Sequence, residues 1–324
     1  MRIPAWMAKL LTACALALFA SGAFAQAYPS RPLKLIVPFP PGGATDVLAR
    51  IVGDALSRRL GQSVMIDNRP GAGANLGAQI AAQAAPDGYT LLMAPTSIYA
   101  IAMSAYKAPG FDLQRDFVPV SQVANVPHLL VVHPSLGVRN LSDLVAAARA
   151  KSLALSAASH GVGTVSHLEL AMLEQMAKVE FVHVPYKGSA PAMIDLVAGR
   201  VQLMFDSVTS ALPQIKAGKL TALGVTGAAR SALLPSVPTL GESLIGYRAE
   251  SWLGILLPAR SPATVVDRLN REIAALLADA AVRRELVERG FEPQASTVAQ
   301  YHEKIRTDIG AWAKIVQAAG VTID

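Results

Sequence analysis

Two periods of apolar residues exchange along this chain. Leu33 to Phe39 is a nearly unbroken apolar run, the pattern of a strand buried on both faces. From Thr45 to Leu60 the period changes. Leu48, Ile51, Val52, Ala55 and Leu56 recur at i, i+3, i+4, i+7 and i+8, which marks one face of a helix. The exchange repeats with a short strand from Val64 to Asp67, a glycine loop from Arg69 to Asn75 and a helix to about Ala85. Pro86-Asp87-Gly88 then makes a turn, and strands follow at Tyr89 to Ala94 and Phe117 to Ala124.

A second series begins with the strand at Leu129, which a proline ends at Pro134. Helices are expected from about Asn140 to Ala150, Thr164 to Ala177 and Ser189 to Ala198, with a short one ending at Ala217. Strands are expected at Leu153 to Ser159, Phe181 to Tyr186, Val201 to Asp206 and Leu220 to Thr226. An irregular stretch rich in Pro, Gly and Ser runs from Ser231 to Gly246, and Trp252 to Leu257 is one more strand. The remainder reads as helical. Tyr301, Ile305, Ile309, Trp312 and Val316 form its clearest stripe.

This alternation predicts an α/β fold with largely parallel sheets. The length suits two lobes. Ser251 to Pro258 reads as a strand returning to the first lobe. Lobe 1 is then 27–126 plus 248–324, and lobe 2 is 127–247. The chain crosses twice, so the lobes can hinge about a cleft.

The first 25 residues read as a segment apart. Arg2 and Lys9 give a basic start, an apolar run extends from Leu10 to Ala20, and Ala23-Phe24-Ala25 offers a cleavage site before Gln26. That is the layout of a secretory signal peptide, with an apolar run too short for a membrane span. Leu11-Thr12-Ala13-Cys14 has the form of a lipoprotein box. It ranks second, because Lys9 leaves almost no apolar run before the cysteine. Cys14 is the only cysteine, so the rest of the chain has no disulfide, thiolate nucleophile or cysteine metal site. The expected location is the periplasm. The formal net charge of +6 is spread without blocks of like charge, which favours anions mildly. Export argues against nucleic acid as a partner.

In open α/β sheets ligands sit beyond the carboxyl ends of strands. Three such junctions are unusual. In the first, Val37-Pro-Phe-Pro-Pro-Gly-Gly-Ala-Thr-Asp46, two glycines precede a helix that Thr45 or Asp46 can cap. The N–H groups of its first turn suit an anion. The second, Leu155 to Leu168, repeats the order of strand, glycine loop and helix. There Ser166 and Glu169 fit a capping box, Thr164 is another cap, and His167 can donate to a ligand or be satisfied within its own lobe. Two facing helix N-termini would suit a small carboxylate. The third, Arg69 to Gly77, has G-x-G-x-x-x-G spacing and reads as a structural loop, so no nucleotide cofactor is expected. Thr96 and Ser97 follow one strand and Asp206 ends another, where they can reach the cleft or cap a loop or helix.

Catalytic and metal motifs are absent: there is no G-x-S-x-G, no H-E-x-x-H, no G-K-[ST] loop and no histidine spacing of a metal site. A Ser/His/Asp triad assembled in space remains open, which keeps an exported hydrolase as the alternative function.

The chain resembles the Bug receptors, the extracytoplasmic solute-binding proteins of tripartite tricarboxylate transporters. The resemblance rests on "YPSRPLKLIVPFPPGGATDVLAR", "NRPGAGANLGAQIAAQAAPDGYTLLMA", "RDFVPVSQVANVPHLLVVHPSL", "SHGVGTVSHLEL", "VEFVHVPYKGSAPAMIDLVAGRVQLMFDS", "KAGKLTALGV" and "LPSVPTLGES", in that order. It implies a two-lobed periplasmic-binding fold, type II-like, that closes on a small carboxylated solute such as an organic acid or acidic amino acid. It also implies delivery to membrane subunits by a monomeric, non-catalytic receptor. A receptor feeding a sensor protein would look the same. The family holds a ligand carboxylate largely by backbone N–H groups and waters from two facing loops. Carried over, the first loop is Phe39, Pro40, Gly42, Gly43 and Asp46, and the second is Ser159, Gly161, Gly163, Thr164 and His167, with Thr96, Ser97 and Asp206 as further pocket residues. The chain departs from the family pattern over Ala94 to Ala100, where Ile98 and Tyr99 either reshape the pocket wall or pack inside.

Overall fold

The computed structural model describes residues 28–150 and 154–323. The expected signal peptide, its cleavage before Gln26 and the alternative lipidation at Cys14 lie outside the described residues. So does Leu153, the expected start of one strand.

Eleven strands among the described residues form two sheets. The first holds β1 (Leu33–Val37), β2 (Val64–Asn68), β3 (Thr90–Pro95), β4 (Phe117–Asn125), β10 (Trp252–Pro258) and β11 (Glu292–Pro293), in the order β11-β4-β10-β3-β1-β2. The second holds β5 (His128–Val132), β6 (Ser156–Ser159), β7 (Val182–Pro185), β8 (Leu203–Ser207) and β9 (Thr221–Val225), in the order β7-β6-β8-β5-β9. The chain leaves the first sheet after β4 and returns to it at β10. The two crossing segments meet, with Val126 N–H donating to Ser251 O at 2.7 Å.

The expectation of largely parallel sheets needs correction. β1 is parallel to β2 and β3, and β6 to β7 and β8. β10 runs antiparallel to β3 and β4, β5 to β8 and β9, and β11 to β4. Parallel neighbours need a crossover helix to bring the chain back to the same end. β5 and β10 instead arrive from the other lobe and are free of that constraint. β11 lies in a stretch expected to be helical, and two residues are too few to show a period.

Both sheets are covered on both faces. The helices Ala44–Leu60 and Ala263–Ala278 pack one apolar cluster onto the first sheet, with Leu48, Val52, Leu269 and Ile273 fully buried. The helices Ser189–Val197 and Val208–Lys216 do the same for the second. A third cluster joins the lobes. It runs from Leu92 and Ala94 through the helix Val298–Ala318 to Leu168 and Phe205. The stripe on that helix is as its spacing predicts: Tyr301, Ile305, Trp312 and Val316 are buried and Ile309 half-buried.

After β3 the chain makes a π-helical turn, Ser97–Ile101, which no sequence period announces. Such turns often sit beside functional sites. Ile98 and Tyr99 are fully buried. The Tyr99 ring stacks on Trp252 at 4.3 Å, and its hydroxyl bonds that of Tyr301. Of the two outcomes open to Ile98 and Tyr99, packing inside is the one observed.

Candidate functional site

A small cavity lies between the lobes. The first lobe lines it with Phe39, Pro40, Gly43, Ala44, Thr45 and Ser97. The second supplies His128, His160, Thr164, Val165, Ser189 and Asp206. Val126 and Ser251 of the crossing segments complete the floor. The lobes also touch each other directly. Pro40 stands so near Gly188 that a Cβ there would lie 2.8 Å from Pro40 Cδ. The Tyr106 hydroxyl donates to Val162 O at 2.9 Å.

Three helices start at this cavity, and their starts are open. The helix Ala44–Leu60 makes its first internal bond from Val47 N–H to Gly43 O, which leaves Ala44 and Thr45 N–H without an intrahelical acceptor. In the helix Val165–Ala177, His167 and Leu168 N–H both reach Thr164 O, and Val165 N–H is left over. The helix Ser189–Val197 begins after Gly188, with no side-chain cap. A fourth, Val208–Lys216, is already capped: Ser207 Oγ accepts from Ser210 N–H, and Val208 N–H donates to Pro127 O. Each open start carries about half a positive charge, so three together offset roughly one and a half negative charges. No lysine or arginine lines the cavity.

Three of the loop glycines do not offer free donors. Gly42 N–H donates to Asp46 Oδ2 at 3.0 Å, Gly161 N–H to Ser159 Oγ at 3.2 Å and Gly163 N–H to His167 Nδ1 at 3.3 Å. Asp46 does not cap its helix as expected, and Gly43 stands at that position. The Asp46 carboxylate turns away from the cavity to Gly42, Arg50 and Asn68. Burial raises its pKa, but these hydrogen bonds outweigh burial and hold it below the ordinary value. Thr45, the other expected cap, lines the cavity instead.

The capping box expected of Ser166 and Glu169 does not form. Ser166 Oγ accepts from His160 N–H at 2.8 Å, and Glu169 Oε2 meets His128 Nδ1 at 2.9 Å. Thr164 occupies the cap position, but its hydroxyl donates to Gly161 O at 2.7 Å. Thr96 is tied to the backbone of Trp252, accepting from its N–H and donating to its carbonyl. Ser159 bonds His183 Nε2 at 2.7 Å.

Asp206 is wholly buried at the end of β8. It accepts from Ser189 Oγ and from Ser207 N–H, each at 2.6 Å, and faces His160 Nε2 at 3.1 Å without an aligned hydrogen bond. Burial raises its pKa, yet His160 and Ser189 together bring it below the ordinary value. This carboxylate therefore organises the wall, fixing Ser189 and Ser207 at two helix starts. Opposite it, burial works against a proton on His128, but the charge and hydrogen bond of Glu169, with the charge of Asp206, together outweigh burial and raise the histidine above its ordinary value.

His167 falls outside the cavity lining. It stacks on His183 at 4.2 Å and 6°. Burial and His183 push its pKa down to about 4, so it is neutral near pH 7 and no cation for a ligand. Its folded pKa lies below the unfolded value of 6.5, so its contribution is full above 6.5 and disappears as pH falls toward 4. That contribution is at most about 3 kcal/mol. The melting temperature is expected to drop more steeply across this window in the wild type than in His167→Asn. Parallel melting curves for the two proteins would contradict the assignment.

Of the residues singled out in the sequence, the cavity gathers Phe39, Pro40, Gly43, Ser97, Thr164 and Asp206. Gly42, Asp46, Thr96, Ser159, Gly161, Gly163 and His167 lie around it, in the supports of its wall. His128, His160 and Ser189 were not singled out. A signal existed for Ser189, since Tyr186-Lys-Gly-Ser189 repeats the order of strand, glycine and helix. Nothing in the spacing of His128 and His160 shows that they meet. No Ser/His/acid triad forms from these groups: Ser189 donates to Asp206 itself, and Ser159 bonds a histidine that stacks on another.

The sequence matches the family described as tripartite tricarboxylate transporter family receptor over residues 48–321. It is 40% identical over 313 residues to a UPF0065 protein in the tcbD-tcbE intergenic region of Pseudomonas sp. strain P51, covering 95% of this chain and 93% of that protein. Among solved structures it is similar to Rpa4515 of R. palustris with adipate, with TM-score 0.89, 36% identity, and coverage of 91% of this chain and 99% of that one. The periplasmic binding protein BugD gives TM-score 0.87 at 34% identity, with 91% and 99% covered. MatC from Rhodopseudomonas palustris with bound malate gives 0.85 at 30% identity, with 89% and 100% covered.

Proposed function

The chain belongs to the tripartite tricarboxylate transporter receptor family, and on that premise we propose that it captures a small carboxylated solute by lobe closure and hands it to the membrane subunits of such a transporter. It is a solute-binding receptor and not an enzyme, which sets the hydrolase alternative aside. One observation carries the reading of the ligand: three open helix starts from both lobes meet at one cavity that lacks lysine and arginine. Backbone dipoles in a buried site hold a carboxylate without a side-chain counter-ion. The relatives solved with adipate and malate support an aliphatic acid.

In this reading Ala44, Thr45, Val165 and Ser189 give N–H groups to one carboxylate. Asp46, Ser159, Gly161 and Asp206 hold the loops that aim them. Ligand touching both lobes favours the closed arrangement, whose outer surface the transporter recognises. The hinge lies in the segments around Val126 and Ser251, and the receptor works as a periplasmic monomer. Among the described residues no helix is long and apolar enough to cross a membrane.

The test is a melting screen of refolded protein against aliphatic acids, acidic amino acids and aromatic acids. A ligand at about 100 times its Kd adds about 2.7 kcal/mol. That raises the melting temperature by several degrees, and the acid should be recovered unchanged. The absence of a shift with every acid would contradict the reading.

A further inference from the structure

The third glycine junction of the sequence, Arg69 to Gly77, takes no part in the cavity lining. The structure places it at the contact between the lobes. Its backbone is left-handed even at two alanines, with φ of +47° at Ala72 and +91° at Ala74. Left-handed alanine is unfavourable, and such strain persists only where the surroundings impose it. Here the loop sets the Ala72 carbonyl 3.2 Å from the hydroxyl of Tyr106.

The next residue has to be a glycine. A Cβ on Gly73 would strike the Tyr106 hydroxyl and lie 2.7 Å from Val162 O. On the other lobe, a Cβ on Gly163 would lie 2.8 Å from the same hydroxyl. One phenol thus fills a slot that two glycines, one from each lobe, keep clear. Tyr106 is itself held in place. It follows the short helix Ala102–Ala105, and the stretch after the helix Val298–Ala318 runs beside it. Ile323 N–H donates to Ala105 O at 2.7 Å, and Lys107 N–H to Ile323 O at 3.0 Å. Burial of the ring raises the tyrosine pKa above its ordinary value, so the hydroxyl keeps its proton.

That proton can go to one carbonyl at a time. Ala72 O belongs to the phenol's own lobe, and Val162 O, the nearer at 2.9 Å, to the other. We propose that Tyr106 is the latch of lobe closure, its hydroxyl donating to Ala72 O when the lobes part and to Val162 O when they meet. The inference rests on capture by lobe closure as read above.

The exchange leaves the hydroxyl satisfied in both states, so the latch opens without stranding a donor. What differs is Val162 O. With the lobes apart, water reaches it. With the lobes together, the loop at Gly73 crowds it and Tyr106 is the donor beside it. The latch therefore acts on the closed state alone. It stands outside the cavity lining, so it governs how long a solute stays and not which solute is chosen.

Stopped-flow and calorimetry with adipate and with malate test this on wild type and Tyr106→Phe, which keeps the ring and loses the hydroxyl. One hydrogen bond lost from the closed state predicts affinity about two- to tenfold weaker for either acid. Faster dissociation should carry the whole change, with association as in wild type. A merely structural role would instead lower the melting temperature of the unliganded protein and leave the dissociation rate alone. Gly73→Ala fills the slot and should weaken binding further, and it carries the test if Tyr106→Phe does not fold. Wild-type dissociation rates in Tyr106→Phe overturn the latch, while binding of the acids by that protein still upholds carboxylate capture. If wild type takes up neither acid, small-angle scattering of the unliganded proteins decides. The latch predicts a larger mean radius for Tyr106→Phe, and equal radii overturn it; the melting screen decides separately on carboxylate capture.

Discussion

Replacing Gly163 with aspartate is expected to abolish solute binding, because the closed arrangement has no room for a side chain there. Gly163 has φ of +72°, and a Cβ would lie 2.6 Å from both Ile323 Cδ1 and Tyr106 Cε2. Gly163 belongs to the second lobe, and its two neighbours to the first. A side chain at this position is therefore a wedge between the lobes. The left-handed backbone adds about 1–2 kcal/mol of strain, but it does so in open and closed states alike and lowers stability only. The clash acts on closure alone. Overpacking of this kind costs about 1–3 kcal/mol for the smallest side chain, which weakens binding by roughly five- to 150-fold.

The sequence alone suggests another cause for the same outcome, a negative charge placed at the anion site. Gly163 does not line the cavity, so the wedge replaces that cause. Gly163→Ala separates the two. A charge effect leaves alanine near wild-type affinity, whereas the wedge predicts a clear loss and no compaction in small-angle scattering when ligand is added. Wild-type affinity in Gly163→Ala would sink the wedge.

Asp206→Ala should produce the largest loss of stability at the site. The carboxylate is fully buried and holds Ser189 Oγ, Ser207 N–H and the facing His160. Its removal strands these groups away from water, at a cost of about 3–5 kcal/mol. For lobes of this size that lowers the melting temperature by roughly 10 °C. Ser189 and Ser207 then lose their anchor, and ligand affinity falls with them. The pH dependence has a definite sign. The folded pKa of Asp206 is depressed, so its contribution is present above the unfolded value and is lost as pH falls through the folded one. The gap between wild type and Asp206→Asn should therefore close in acid. Equal melting temperatures of wild type and Asp206→Ala at neutral pH would show that the carboxylate organises nothing.

Much of this architecture is legible in the sequence, for local reasons. The run from Leu33 and the face formed by Leu48, Val52 and Leu56 declare a strand, a turn and a helix start without help from the rest of the chain. The return strand at Trp252 is visible because its apolar run stands between an irregular stretch and a proline. Strand direction is not visible. Nothing in the residues of β5 or β10 records that they arrive from the opposite lobe.

The site divides in the same way. Phe39, Pro40, Gly43 and Thr164 are found because a strand, a glycine turn and a helix follow one another locally. The same logic names Gly42, Gly161 and Gly163 as anion donors, and there it fails. Their N–H groups meet Asp46, Ser159 and His167, pairings that only side-chain geometry decides. His128 meets Glu169 across 41 positions, a contact set by sheet register and helix packing. Local pattern locates helix starts; it does not show which donors remain free or which distant charges face them.

The central claim is that backbone N–H groups at helix starts hold the ligand between the lobes. It is tested most directly by solving the complex with the acid that the melting screen selects. The account predicts a carboxylate within hydrogen-bond distance of N–H groups at Ala44 or Thr45 and at Val165 or Ser189, with the lobes closed. An acid bound outside the cleft, or held there by one lobe alone with those N–H groups facing water, would contradict it.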